Sequence, residues 1–215
     1  MSKYSLIDVS YIDHMGDDLS VVNAARVSFA KKSERFSEKD EKLIKYLAKH
    51  KHMSPFGHCM LKVKVKAPIL VARQLMRHEY LRINEVSRRY VDHGLEFYFP
   101  SWRERPSNGM KQGSGSDLKN KLEADNLYRN LISEIEEVYH KLLALNIAPE
   151  QARAILPTSL MTEWIWTGSL DAFAKMYNMR ADFHTQMETR EVAFKIDEIA
   201  RKCFPISWVE LTKEE

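Results

Sequence analysis

From His58 to Lys66 the chain alternates strictly, with Cys59, Leu61, Val63 and Val65 on one side and Lys62, Lys64 and Lys66 on the other. Successive strand side chains point to opposite faces, so this segment reads as a half-buried strand. Any fold that contains it must cover one face of a sheet with apolar side chains from elsewhere. Helical spacing supplies them. A helix is expected after Asp18, capped by that carboxylate and carrying Val21, Val22, Ala25 and Arg26. A second follows Ser37, with Asp40 three residues on as a capping box and Leu43, Ile44 and Leu47 as its buried stripe. Ala67-Pro68 opens a third through Val71 and Leu75.

The second half repeats the alphabet. Leu127, Leu131, Ile135, Val138 and Leu142 mark a long helix reaching about Leu145, its stripe expected to lie on the core, and a short helix with Arg153 inside follows Pro149. Thr162 to Thr167 alternates as a strand, while Leu170 to Met179 and Phe183 to Cys203 carry helical stripes. The class is α+β, mixed helices packed on a small sheet. With no internal repeat and no shift in composition, residues 1–215 are expected to form a single domain. Gly94 precedes a strand-like Leu95 to Phe99, and 101–117, rich in glycine, serine and polar residues, reads as a flexible loop.

Composition excludes several classes. With 33 basic against 30 acidic residues the net charge of +3 is too small for a non-specific nucleic-acid binder. No run approaches the roughly 18 apolar residues of a membrane span, and the N-terminus lacks the apolar core of a signal peptide, so a cytoplasmic protein is expected. Two cysteines make no disulfide framework; Cys59 shares the strand's apolar face and Cys203 continues the stripe Val192, Ile196, Ile199. No metal is expected either, because no carboxylate adjoins His50, His52 and His58.

Three segments concentrate ligand-binding groups: His52 to His58, Arg73 to Tyr90, and Asn178 to His184. The middle one holds Arg73, Arg77, Arg82, Arg88 and Arg89 among carboxylates, a histidine, an asparagine and a serine. So many guanidinium groups repel one another unless an anion sits among them, and each can grip phosphate through two parallel hydrogen bonds. In the last segment Arg180 and His184 are four apart and would share a helix face.

In this order and spacing the segments resemble the flavin-dependent thymidylate synthases. That family's signature, Arg-His-Arg-x-x-Ser-x-Asn-x-x-Ser-x-Arg, is matched by Arg77, His78, Asn84, Ser87 and Arg89, with Tyr90 following. Its His-x-Ser/Thr-Pro-Phe-x-His is matched by His52, Ser54, Pro55, Phe56 and His58. Further matches are Ala24 to Ser28, Val65 to Ile69, Ala72-Arg73-Gln74, Leu95 to Tyr98, Ala152-Arg153, Leu156-Pro157 and Met179 to His184. Two positions depart inside the signature, Glu79 for arginine and Arg82 for serine; two readings stand open, that they pair across a turn or helix or that both face solvent. Ser169 and Lys175 stand where members often carry asparagine, and Gly57 where an acidic residue is common.

The resemblance implies methylation of dUMP to dTMP, with methylenetetrahydrofolate as one-carbon donor and NADPH as reductant through bound FAD. It assigns Gln74, Leu75, Met76, Arg77, Glu85, Val86, Ser87, Arg88, Arg89 and Arg153 to dUMP, the phosphate going to guanidinium groups and turn amides. Arg180 is assigned a catalytic role at the uracil edge. For FAD it implies His52, Ser54, Arg77, His78, Glu79 and Glu85, with Ser169 and Lys175 at the later flavin positions. Since the chain has no Gly-x-Gly-x-x-Gly and only seven glycines, FAD cannot sit on a dinucleotide-binding glycine turn. The family holds it among the subunits of a homotetramer. No histidine adjoins Ser87 to activate it, which favours binding over nucleophilic attack. The competing reading is a non-catalytic nucleotide- or RNA-binding module, with Tyr80, Tyr90 and Trp102 stacking beside the arginines.

Overall fold

The computed structural model describes residues 3–106 and 113–213. One antiparallel sheet of four strands forms its centre, in the order β1 (Asp8–Met15), β2 (Met60–Pro68), β4 (Met161–Ser169), β3 (Leu81–Glu85). Helices α1 (Asp18–Arg26) and α2 (Glu38–Lys49) separate β1 from β2, and α3 (Ile69–Leu75) links β2 to β3. After β3 come α4 (Leu122–Ala144) and α5 (Pro149–Ala152); after β4 come α6 (Leu170–Arg180), α7 (Met187–Cys203) and α8 (Ser207–Thr212).

The alternation in β2 sorts its side chains as expected. Leu61, Val63 and Val65 are fully buried, and Trp166 and Trp164 of β4 lie opposite Val63 and Val65 on the same face. The helices cover it with Val21 and Val22 from α1, Val71 and Leu75 from α3, Phe173 and Met176 from α6, Val192 and Ile196 from α7, and Trp208 from α8. Large apolar groups of this kind cost about 3 to 5 kcal/mol when an aromatic is cut to alanine, so this layer dominates stability. The opposite face is lysine-rich: Lys64 meets Glu163 at 3.3 Å and Lys66 pairs with Glu96. β4 comes so close to β3 that a Cβ on Gly168 would lie 2.2 Å from Leu81 Cδ2 and 3.1 Å from the Tyr80 carbonyl, so a side chain there would force Leu81 to move.

Local signals placed the helices well. Ser37 and Asp40 form the expected capping box, and Asp40 also holds Arg26 at 2.6 Å. Asp17, not Asp18, caps α1; Asp18 instead points inward and accepts from the N–H groups of Ile206 and Ser207 at 2.9 and 2.8 Å, tying α1 to α8. Ala67 and Pro68 finish β2, and Pro68 is also the N-cap from which α3 opens as expected, while α7 starts only at Met187. The segment 95–99 forms no strand, only single bridges from Phe97 to Tyr4 and Leu160.

The largest correction concerns α4. Its buried residues are Ile132 and Tyr139, which close a second, smaller cluster with Leu95, Phe97, Ala152 and Leu160. Leu127, Leu131 and Val138, expected in the core, are 66%, 53% and 38% exposed. A shift of one residue turns a helix by about 100°, so two adjacent apolar stripes share this helix and only one faces the chain's own core. The loop expected to be flexible is organised on its described flanks: Arg103 bridges Asp117, and Glu104 exchanges backbone hydrogen bonds with Gly115 and Ser116 at 2.8 Å. Residues 107–112 of that expectation lie outside the described residues.

Candidate active site

The arginine cluster begins where α3 ends. Met76 caps the helix, Tyr80 turns the chain with a φ of 65°, and β3 then carries Arg82 and Asn84 opposite Thr167 and Ile165. This geometry decides between the two readings of Glu79 and Arg82: the first lies in the turn, the second in a strand, both are exposed, and no ion pair joins them. Leu75 is fully buried in the core, so only its backbone could meet a ligand, while Met76 packs half-buried against that core. Arg77 and Glu79 are exposed.

The C-terminus of α6 meets this turn. Arg180 Nε donates to His78 Nε2 at 2.8 Å, and Arg180 Nη2 donates to the carbonyl of Gln74 at 3.1 Å. Burial, then the charges of Arg180 and Lys175, depress the His78 pKa to about 4, so near neutral pH its Nε2 is a bare acceptor. Burial and neighbouring Arg77 also lower the Arg180 pKa from its ordinary value, yet a guanidinium keeps its proton. The result is a cation oriented from two sides, with its remaining N–H groups free for a ligand. A cavity of about 460 Å³ opens here, lined by Gln74, Arg180, Asp182, His184 and Gln186 among others. His184 does not share a helix face with Arg180, because α6 ends at Arg180; it bonds Asp182 Oδ1 instead, at 3.0 Å.

A second cavity, about 640 Å³, gathers Glu85, Val86, Ser87, Arg88 and Arg153 with Glu150 and Thr162. Within it Thr162 donates to Glu85 at 2.7 Å. Arg88 is largely spent on the fold: its guanidinium donates to the carbonyls of Val91, His93 and Gly94, leaving only the buried Nε without a partner. The turn amides are mostly spent too. Those of Tyr90 and Val91 bond Ser87 O, that of Arg89 bonds Ser87 Oγ, and that of Val86 bonds Glu163 O. Among the described residues the N–H groups of Ser87 and Arg88 remain for a ligand. Arg89 is exposed and lies 5.1 Å over the Tyr90 ring. Arg153 is exposed as well, its Nε on the carbonyl of Glu150 at 3.2 Å.

Of the residues expected at a flavin, Glu85 lines the second cavity, while Lys175 lines a third, about 800 Å³. Lys45, Lys49, Lys51, Lys175 and Lys213 rim it over an apolar floor of Ala48, Met53, Ala174 and Leu211. Lys45 is held by Glu41 and Lys213 by Glu210, which itself lines the cavity, so Lys49 and Lys175 beside the apolar floor are the cations that fit a ligand joining a diphosphate to flat rings. Asp171 Oδ1, buried there without a partner, fits such a ligand's hydroxyl or N–H groups. The donor set is therefore compatible with FAD. His52 and Ser54 are exposed on either side of Met53, and Ser169 caps α6 from the end of β4. A Cβ on Gly57 would sit 3.8 Å from Asp171 Oδ1. Asp171 was not foreseen, since only the tertiary approach of residue 57 to α6 singles it out. Among the described residues no group of three His, Cys, Asp or Glu side chains is placed to hold a metal.

Residues 10–206 match the family model described as thymidylate synthase complementing protein. The flavin-dependent thymidylate synthase of Thermosipho melanesiensis is 40% identical over 208 residues, 94% of this chain and 90% of that one. That of Kosmotoga olearia is 38% identical over 204 residues, 93% and 87% of the two chains. The chain belongs to the flavin-dependent thymidylate synthase family. It is accordingly an enzyme, and the fold agrees. The crystal structure of the UMP/dUMP methylase PolB from Streptomyces cacaoi, bound with 5-Br dUMP, superposes with a TM-score of 0.88 at 30% identity, covering 97% of this chain and 95% of that one. No helix among the described residues is long and apolar enough to cross a membrane.

Proposed function

We propose that this enzyme methylates dUMP to dTMP, drawing the one-carbon unit from methylenetetrahydrofolate and the reducing equivalents from NADPH, with FAD as the bound cofactor. The observation that carries the reading is Arg180, a cation locked between neutral His78 and the Gln74 carbonyl and aimed into a cavity. As C5 of uracil becomes nucleophilic, negative charge develops on N3 and O4. A preorganised cation at that edge stabilises it before any solvent must reorganise, an effect worth about 3 to 4 kcal/mol. The C5 proton leaves to solvent, a methylene and a hydride arrive, and the balance is dUMP, methylenetetrahydrofolate, NADPH and a proton to dTMP, tetrahydrofolate and NADP. Bound FAD would supply the hydride chemistry; the chain supplies binding, orientation and charge.

The phosphate falls to Arg77, Arg89 and Arg153, with the free N–H groups of Ser87 and Arg88. His52, Ser54, His78, Ser169 and Lys175 remain the flavin side, and Asp171 offers a carboxylate beside position 57, where the family commonly carries one. Gln74 and Arg180 line one cavity, Ser87 and Arg153 another, and the two share no lining residue. A single nucleotide reaches both sets when one subunit contributes the first and another the second. The exposed stripe Leu127, Leu131 and Val138 on α4 supports the same arrangement, since it offers apolar area to a neighbouring copy. We therefore propose a homotetramer with shared sites.

The deciding measurement is tritium release from dUMP labelled at C5, with and without NADPH and methylenetetrahydrofolate, and with UMP run in parallel. Release that needs both co-substrates and yields dTMP supports the reading. A colourless protein that takes up no FAD and releases no tritium refutes it.

A further inference from the structure

The segment that follows β3 is anchored at both ends. The Val86 N–H bonds Glu163 O of β4 at 2.9 Å, and Leu95 is buried with Phe97 in the smaller core cluster. In between, the N–H groups of Tyr90 and Val91 close a single turn on the Ser87 carbonyl, at 3.0 and 3.1 Å. Among the described residues no backbone hydrogen bond reaches Asp92, His93 or Gly94. Arg88 holds that stretch instead. Its Nη1 donates to Val91 O at 3.3 Å and to His93 O at 2.6 Å, and its Nη2 donates to Gly94 O at 3.2 Å.

A guanidinium suits this task because it presents several N–H donors in one rigid fork and its charge strengthens each bond. An ammonium brings the same charge as a single point on a flexible stem. His93 and Gly94 are exposed, so without the fork their carbonyls would turn to water. The same fork cannot grip a phosphate through two parallel bonds while it holds three carbonyls. The part of Arg88 left for a ligand is its backbone N–H, next to the equally unused N–H of Ser87.

We propose that Arg88 is a positioning residue for the phosphate of dUMP: its side chain staples 91–94 back to the turn and so holds the Ser87 and Arg88 N–H groups in the conformation that receives the anion. The inference rests on the reading above, in which these two amides take the phosphate. Both residues line the cavity of about 640 Å³. Successive N–H groups make an anion-binding concavity only while the backbone keeps one conformation. A looser turn visits that conformation for part of the time, and apparent affinity falls by the same fraction; at roughly one tenth, KM rises about tenfold. The phosphate is remote from C5 and its contacts are alike in ground and transition states, so kcat at saturating dUMP is kept.

The test uses FAD-loaded wild type, Arg88→Lys and, as comparator, Arg89→Ala, which removes an exposed arginine of the same turn. It reads kcat and KM for dUMP in dTMP formation, and hydrogen exchange across 87–94 by mass spectrometry in the absence of dUMP, with the thermal midpoint as control on folding. Arg88→Lys is expected to raise KM roughly tenfold, keep kcat within about twofold and speed exchange in the free protein, while Arg89→Ala leaves exchange as in wild type. Should Arg88→Lys not fold, Gly94→Val is read in its place: Gly94 has a φ of 63°, which valine resists, and a Cβ there meets nothing within 4 Å, so the staple is loosened from its other end without a clash. A wild-type KM in Arg88→Lys overturns the proposal, whether exchange speeds up, making Arg88 a part of the fold only, or does not, showing that charge suffices. A raised KM with wild-type exchange also overturns it, because Arg88 would then touch the phosphate directly. In each of these cases dUMP methylation stands; if wild type forms no dTMP, the functional reading itself fails.

Discussion

The His78–Arg180 contact makes stability depend on pH in a window where few other groups act. In the unfolded chain His78 takes a proton near 6.5; in the fold, burial and two cations hold it to about 4. The folded pKa is depressed, so the stabilisation is complete above 6.5 and is lost as pH falls toward 4. At 1.36 kcal/mol per pH unit the full difference is about 3 kcal/mol, of which about 2 kcal/mol is gone by pH 5. His78 is partly exposed, and solvent screening reduces the loss at pH 5 to roughly 1 to 2 kcal/mol. In a chain of this size that is a fall of about 3 to 6 °C in thermal midpoint. Carboxylates such as Glu96, bonded to Lys66 and held below its ordinary value of 4.5, lose their contribution only lower still. The assay is thermal unfolding of wild type and His78→Asn between pH 7.5 and 5. The variant keeps a polar partner for Arg180 but cannot titrate, so its midpoint should fall less by that amount. Parallel pH profiles, or an NMR titration placing the His78 imidazole near 6.5, would refute the argument.

Arg180→Ala should cut dTMP formation by roughly a hundredfold or more while FAD stays bound, because one preorganised charge contact is lost; near-normal turnover removes Arg180 from the chemistry. Replacing both Cys59 and Cys203 by serine should leave synthesis intact in the folded fraction, since Cys59 is fully buried and burial pushes its thiol up to about 11, far from a reactive thiolate. An inert but folded double variant would bring a cysteine nucleophile back into the scheme. Leu127→Glu with Leu131→Glu should shift the protein to smaller species in sedimentation and weaken dUMP binding, because charges replace the exposed apolar stripe of α4; an unchanged assembly would place the subunit contact elsewhere.

What the sequence determined by itself is what depends on neighbours a few residues away. β2 was legible because alternation is a property of the strand alone, and α2 because Ser37 and Asp40 cap it locally. The candidate arginines could be named as residue types at fixed spacing, Arg77 to Arg89 with Arg180 to follow. Tertiary structure decided everything that needed a distant partner. Gln74 meets Gln186 from 112 positions away, Arg180 meets His78 across 102, and Asp18 leaves its own helix to hold residues 188 and 189 positions on. β3 pairs with a β4 that lies far along the chain, so the arginine cluster gave no local sign of it. Periodicity showed that α4 is amphipathic but not which of its two apolar stripes the chain would bury. Spacing measures only the angle around a helix axis, and the choice of face belongs to whatever packs against it.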